Sequence, residues 1–191
     1  MSAIKNKSVL VIGGSSGIGY GVADKALAEG AKPRADISGW TCDLADPNVE
    51  KNLEAIHKAG HIRFAVPLLL AKLAPHYLKP GYQSSLTLTT GAGGEKPFPD
   101  SSLVAGYLTG LQGLTRNVAL ELKPLRVNMV SPGVVVAPLH GPGGVPDEMK
   151  KYTTLGKVGT PEEVAEAYLY FMKDTNVTSS CISTNGGSLL L

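Results

Sequence analysis

Apolar runs at Ser8–Ile12, Ser85–Thr90, Arg126–Val130 and Cys181–Thr184 are short, rich in β-branched residues and bounded by turn-forming positions, so each predicts a buried strand. Around them, apolar residues recur at helical spacing over Gly17–Glu29, Pro47–Lys58, Ile62–Leu78, Val104–Leu122 and Pro161–Lys173. Strands that alternate with helices predict an α/β fold in which a parallel sheet is covered by helices on both faces. The last helix carries its own start signal: Thr160 as cap, Pro161 in the first helical position and Glu163 three residues after the cap form a capping box. Between Val136 and Val158 the density of Gly and Pro predicts a mobile lid rather than core.

The first strand runs directly into Gly13-Gly14-Ser15-Ser16-Gly17-Ile18-Gly19, and a helix follows that Gly30 stops. Gly13, Gly17 and Gly19 permit backbone angles and close approaches that a side chain forbids, and the helix start turns unpaired amide hydrogens toward an anion. A glycine-rich turn alone is weak evidence. Set between a strand and a helix, it predicts a phosphate cradle of the dinucleotide-binding kind.

Composition narrows the class further. With 191 residues, 43% of them hydrophobic, the chain can bury one substantial core, and a single domain is expected. The 18 basic and 16 acidic residues leave a net charge of +2 spread along the chain, which excludes an electrostatic footprint for nucleic acid or for an anionic membrane. No apolar run has membrane-spanning length and Met1–Ser8 leads into the first strand, so a cytoplasmic protein is expected. Cys42 and Cys181 fit no metal or redox spacing and are expected as buried, reduced thiols. His57 and His61 have Gly60 between them and predict solvated imidazoles, and no metal site is expected.

Several segments, taken in order, resemble the short-chain dehydrogenase/reductase superfamily. They are the glycine turn, Cys42-Asp43-Leu44, the run Gly113-Leu114-Thr115-Arg116-Asn117-Val118-Ala119-Leu120-Glu121-Leu122, the run Leu125-Arg126-Val127-Asn128-Met129-Val130-Ser131-Pro132-Gly133, Gly159-Thr160-Pro161-Glu162-Glu163-Val164-Ala165, and Asn185-Gly186-Gly187. The resemblance spans almost the whole chain. It implies a Rossmann-type doubly wound sheet that binds NAD(H) or NADP(H) through Gly13, Ser15, Ser16, Gly17, Ile18 and Gly19. Asp43 and Leu44 would lie near the adenine, and Pro132, Gly133 and Val135 near the nicotinamide. It also implies a homodimer or homotetramer packed through the 104–122 helix.

Two departures from the family pattern matter. After Gly30-Ala31-Lys32 the chain passes to Pro33 with no strand apparent, and a second expected strand end is missing before Ile62. Removing strands from within a parallel sheet would orphan backbone groups. Segments are therefore expected to be omitted near 32/33 and 60/61.

The second departure is chemical. In the family a Tyr donates a proton and a Lys four residues on lowers its pKa, but those positions align with Val104 and Leu108. The family's Ser position falls on Thr89 or Thr90 and its helix Asn near Ile62. Tyr107 either reaches the pocket or packs along its helix, Arg63 either enters the pocket as a fixed cation or is a salt-bridged surface residue, and Glu95, Lys96 and Asp100 are either replacements for the missing acid or solvated loop charges. Without the Tyr and Lys, ketone reduction loses its proton source, whereas an iminium accepts hydride and becomes a neutral amine. The pattern resembles atypical family members of fungal secondary metabolism. It implies an NADP(H)-dependent oxidoreductase that reduces an iminium or enone-like hydrophobic natural-product intermediate. The alternative is a redox-silent Rossmann protein that acts as a cyclase, isomerase or scaffold.

Overall fold

The computed structural model of the chain describes residues 2–11, 16–33, 57–58, 60–96, 98–141 and 144–191. The chain divides into two compact units, one of residues 1–43, 134–174 and 184–191, the other of residues 44–133 and 175–183.

In the first unit β1 (Ser8–Val9) pairs in parallel with β2 (Lys32–Pro33), in the register Ser8 to Lys32 and Val9 to Pro33. This corrects the expectation that no strand follows Gly30. The amide of Lys32 donates to the Lys7 carbonyl at 2.7 Å beside this ladder, where the residue pattern showed no strand. Gly30 makes the return possible. With φ at +84° it takes a left-handed conformation, and its carbonyl accepts from the Asn6 amide at 2.8 Å.

Helix α1 (Gly17–Ala28) packs against α4 (Pro161–Lys173). Gly21 makes that approach possible, because a Cβ there would lie 2.9 Å from the Pro161 carbonyl oxygen. Ile4, Ala26, Ala31 and Leu169 form a buried cluster beside the two helices. Ion pairs Lys25–Glu166 and Lys173–Glu29 tie the helices at their surface. The capping box of α4 is present as expected: the Glu163 amide donates to Thr160 Oγ1 at 3.3 Å and the Thr160 amide donates to Glu163 Oε2 at 3.0 Å.

Residues 138–140 and 147–152, within the stretch expected as a lid, form short 3₁₀ turns. Both ends of this stretch are tied down. Val136 donates to the Gly159 carbonyl at 2.9 Å, Thr153 Oγ1 donates to the Lys157 carbonyl at 2.9 Å, and the Leu155 amide donates to the Gly186 carbonyl at 3.2 Å.

In the second unit β3 (Ser85–Thr89) pairs in parallel with β4 (Arg126–Pro132), from Ser85 opposite Arg126 to Thr89 opposite Val130, and β5 (Cys181–Thr184) lies on the other side of β4. Every residue of β4 is buried, as befits a central strand with both faces covered. Two of its polar side chains bond to backbone: Arg126 Nε donates to the Tyr82 carbonyl at 2.6 Å and Asn128 Nδ2 to the Val177 carbonyl at 3.0 Å.

Helix α3 (Ser102–Glu121) packs on β4 with Leu111, Val118 and Ala119 buried. The helix expected from Ile62 has helical residues before it at 57, 58 and 60, passes through a π-turn (His61–Ala65) and continues as α2 (Val66–Tyr77). Cys181 corrects a further expectation: it is a free thiol but exposed, because β5 alternates exposed Cys181 and Ser183 with half-buried Ile182 and Thr184. Cys42 and most of the 47–58 helix lie outside the described residues.

Candidate functional site

Helix α1 begins without a side-chain cap. Ser16, at the cap position, has extended backbone, and its hydroxyl makes no capping bond. No acidic residue occupies the first turn, so the positive end of the helix is left for an external anion. Gly17 holds φ at +55°, and a Cβ there would sit 3.4 Å from the Ala137 side chain, so the start of the helix fits closely against the segment that leaves β4. Ile18 and Gly19 follow, half-buried. Val135 is buried and bridges to Gly159, which fixes the same segment from its other side. Gly13, Ser15, Asp43 and Leu44 lie outside the described residues.

A second group of candidates surrounds the carboxyl end of β3. Alternation along the strand sends neighbouring side chains to opposite faces. Thr89 is exposed, whereas Thr90 is 8% exposed and its Oγ1 donates to the Leu108 carbonyl of α3 at 2.9 Å. Of the two threonines, Thr90 is thus the one turned to the helix that bears Val104 and Leu108. Leu108 itself is buried beneath a glycine loop. A Cβ on Gly91 would meet its Cδ1 at 3.6 Å, and one on Gly94 would meet its Cβ at 2.8 Å and the Thr109 amide nitrogen at 3.0 Å. The same Gly91 position lies 3.8 Å from the Pro132 carbonyl oxygen, which brings the Pro132-Gly133 turn beside the end of β3.

Tyr107 projects toward the π-turn. Its hydroxyl fills the space where a Cβ on Gly60 would stand, 2.3 Å away, and Phe64 lies against Gly110 in the same way, at 3.2 Å. Glycines on facing elements therefore let the π-turn and α3 approach closely. Arg63, on that π-turn, has its Nε buried with no hydrogen-bond partner among the described residues, and burial lowers the pKa of its guanidinium. A desolvated cation with an unused donor is suited to an anion or a polarised oxygen.

Of the three residues considered as replacement acids, Glu95 has the more defined position. Its Oε1 accepts from Ser131 Oγ at 2.6 Å and from Ser183 Oγ at 3.4 Å, across the ends of β4 and β5. Spacing gave no hint of this pairing, since Glu95 and Ser131 are distant in sequence. Asp100 is exposed with a φ of +58°, and Lys96 is half-buried. Sequence reasoning also missed a small polar cleft of about 180 Å³ between α3 and β5, lined by Glu95, Gln112, Arg116 and Cys181. Although Cys181 is exposed by its residue surface, partial desolvation of the thiol in this cleft, then the Glu95 charge, push its pKa up, and Arg116 opposes them. Among the described residues no cluster of His, Cys, Asp and Glu could hold a metal ion, and no helix is long and apolar enough to cross a membrane.

Comparison with known proteins bears on the family and the fold. The family described as SDR-like Rossmann domain matches residues 35–191. The short-chain dehydrogenase/reductase malC of Malbranchea aurantiaca is 36% identical over 253 aligned positions, covering 98% of this chain and 96% of its own. The solved structure of that organism's MalC reductase/Diels-Alderase superposes with a TM-score of 0.84 at 34% identity, covering 100% of this chain and 99% of the other. The short-chain dehydrogenase/reductase ATR9 of Stachybotrys chlorohalonatus is 33% identical over 255 positions, and all of both chains is covered. A small-chain dehydrogenase solved in complex with NADPH has the same fold, with a TM-score of 0.84 at 24% identity over 98% of this chain and all of the other. The alignments to the first two relatives are longer than the 191 residues of this chain, so both relatives contain stretches without a counterpart here. The α/β class expected from the alternating pattern, of the Rossmann-like type the resemblance implied, is the class these proteins share.

Proposed function

Because the chain belongs to the short-chain dehydrogenase/reductase family of Rossmann domains, we propose that it is an NADP(H)-dependent reductase of an activated, hydrophobic natural-product intermediate, an iminium or an enone. The observation that carries this reading is the burial of Leu108 under the Gly91–Gly94 loop, with a threonine hydroxyl retained beside it. In this reading Val104 and Leu108 stand where the family has its proton-relay Tyr and Lys. An acceptor that needs little or no protonation suits such a site, because the barrier then falls by positioning rather than by acid catalysis.

The open amino end of α1 at Ser16 and Gly17, together with Gly13, Ser15, Ile18 and Gly19, would hold the cofactor phosphates. Asp43 and Leu44 would hold the adenine end, and Pro132, Gly133 and Val135 the nicotinamide end. The bound cofactor supplies hydride. Thr90 orients the substrate, Arg63 offers donors to a substrate carbonyl or enolate oxygen, and Tyr107 shapes the wall against the π-turn. Thr89, exposed on the opposite side of the strand, has the lesser claim. The relatives from fungi named for this family support a role in secondary metabolism.

Calorimetric titration with NADPH and NADH tests the reading, followed by single-turnover oxidation of bound NADPH with iminium and enone probes. Tight NADPH binding with hydride transfer is the expected result. Binding of neither nucleotide would end it. The relative described as a reductase/Diels-Alderase favours one alternative, a site that shapes a cyclisation without redox turnover, and nucleotide binding without any hydride transfer would select it.

We also assign α3 to a homodimer or homotetramer contact. Of its small and apolar residues, Leu108 and Leu111 are consumed by the core, but Gly106, Gly110 and Gly113 are exposed, and Gly106 and Gly113 face open space. Leu69, Leu73 and Tyr77 form an exposed stripe on α2. A monomer by light scattering at micromolar concentration would exclude the contact.

A further inference from the structure

The hydrogen bond between Thr90 and Leu108 has only one possible direction. A peptide carbonyl has no proton to give, so Thr90 Oγ1 must donate its hydrogen to the Leu108 oxygen, 2.9 Å away. What the hydroxyl has left is its two lone pairs. From this we infer that Thr90 serves as a hydrogen-bond acceptor toward the substrate, and that the protein selects a substrate bearing an N–H donor at the reacting end, such as a secondary iminium. The inference rests on the proposed reductase reading and narrows its substrate class.

Three features hold the hydroxyl in this role. Thr90 is 8% exposed and its amide donates to the Val130 carbonyl at 2.9 Å, so the residue is fixed by the β3–β4 ladder. Leu108 is 7% exposed in the interior of α3, so the acceptor is equally fixed. The Pro132 carbonyl oxygen, 3.8 Å from where a Cβ on Gly91 would lie, adds a further acceptor beside the end of β3.

A ketone oxygen arriving at Thr90 would need the hydroxyl proton, and the bond to Leu108 would have to break to supply it. An arriving N–H leaves that bond intact and adds a second one. A typical buried hydrogen bond then separates the two ligand types by roughly 3- to 10-fold in affinity. No chemical step is added to the proposed reaction. Hydride passes from the reduced cofactor to the iminium carbon, the carbon–nitrogen π pair moves to nitrogen, and the nitrogen keeps its proton throughout.

The test uses the full chain with NADPH and three probes of one shape: protonated dihydroisoquinolinium, its N-methyl cation and tetralone. The first two carry the same charge and differ in the N–H donor. The expected result is tighter binding of the N–H cation than of the N-methyl cation, by about 3-fold or more. That preference should persist in Thr90→Ser and vanish in Thr90→Val, with circular dichroism confirming that both variants are folded. Equal affinity for the two cations, a preference that survives in Thr90→Val, or stronger binding of tetralone than of the N–H cation would each overturn the inference. NADPH oxidation is read separately. An N–H preference without hydride transfer would refute the reductase reading while leaving the role of Thr90 standing, and hydride transfer with no N–H preference would do the reverse.

Discussion

Ser131 Oγ donates to Glu95 Oε1 at 2.6 Å, and this bond fastens the loop after β3 to the buried end of β4. Ser131 has no solvent exposure, whereas Glu95 is exposed, so water offsets part of the loss on the carboxylate side. A hydrogen bond to a charged group is worth ~1.5–3 kcal/mol, and the lower end of that range applies. Ser131→Ala is expected to lower the urea midpoint accordingly without changing the slope of the transition, and Glu95→Gln, which keeps an acceptor, is expected to cost less.

Glycine substitutions on either side of α3 should act in opposite directions. Gly94→Ala places a methyl 2.8 Å from Leu108 Cβ and 3.0 Å from the Thr109 amide, where backbone cannot easily yield. Overpacking of this kind costs ~1–3 kcal/mol. Gly106→Ala meets nothing within 4 Å and replaces a poor helix former, so it should stabilise an isolated subunit by ~0.5–1 kcal/mol. Thermal unfolding of both variants checks the pair. If Gly106→Ala also weakens self-association by light scattering, the open face of α3 is a subunit contact.

The cap of α4 is separable from the candidate site. Thr160→Ala removes the acceptor for the Glu163 amide and should cost ~1 kcal/mol. Thr160→Ser, which restores an acceptor, should recover most of the loss in chemical denaturation.

Glu29 carries a pH signature. Its hydrogen bond from Lys173, then one from Ser2, hold its carboxyl below the ordinary glutamate value of 4.5. A carboxylate favoured in the folded state contributes stability that is complete above the unfolded value. That contribution is lost as pH falls from there through the lower folded value. Unfolding midpoints should therefore decline over that acidic interval, and Glu29→Gln should flatten the decline.

Gly17→Val combines a positive φ with a side chain that meets Ala137, at the mouth of the proposed phosphate cradle. Calorimetry is expected to show NADPH affinity reduced roughly tenfold or more, a change of ~1.4 kcal/mol or above. Unchanged affinity would move the cofactor away from this turn.

Much of the architecture was written in local chemistry. Pro161 to Lys173 matched its expected bounds because cap, proline and capping-box glutamate are all near neighbours in sequence, and Cys181–Thr184 matched because turns bound it on both sides. Strand β2 was missed because its partner, Ser8–Val9, is recruited from over twenty residues away, and no local period announces a two-residue strand. Cys181 was misjudged because its type favours burial while its place in the β5 alternation decides exposure.

For the site, the residue pattern by itself determined that a helix starts at Gly17, the α/β class and the threonines at the end of β3, since these depend on residue type and spacing, while the Rossmann type came from the resemblance of several motifs taken in order. Tertiary structure alone decided which threonine turns inward, in which direction its hydroxyl donates, and that Glu95 meets Ser131. Those are relations between side chains that sequence separates and packing brings together. The direction of the Thr90 bond follows from the helix carbonyl it faces, which no feature of Thr90 itself could reveal.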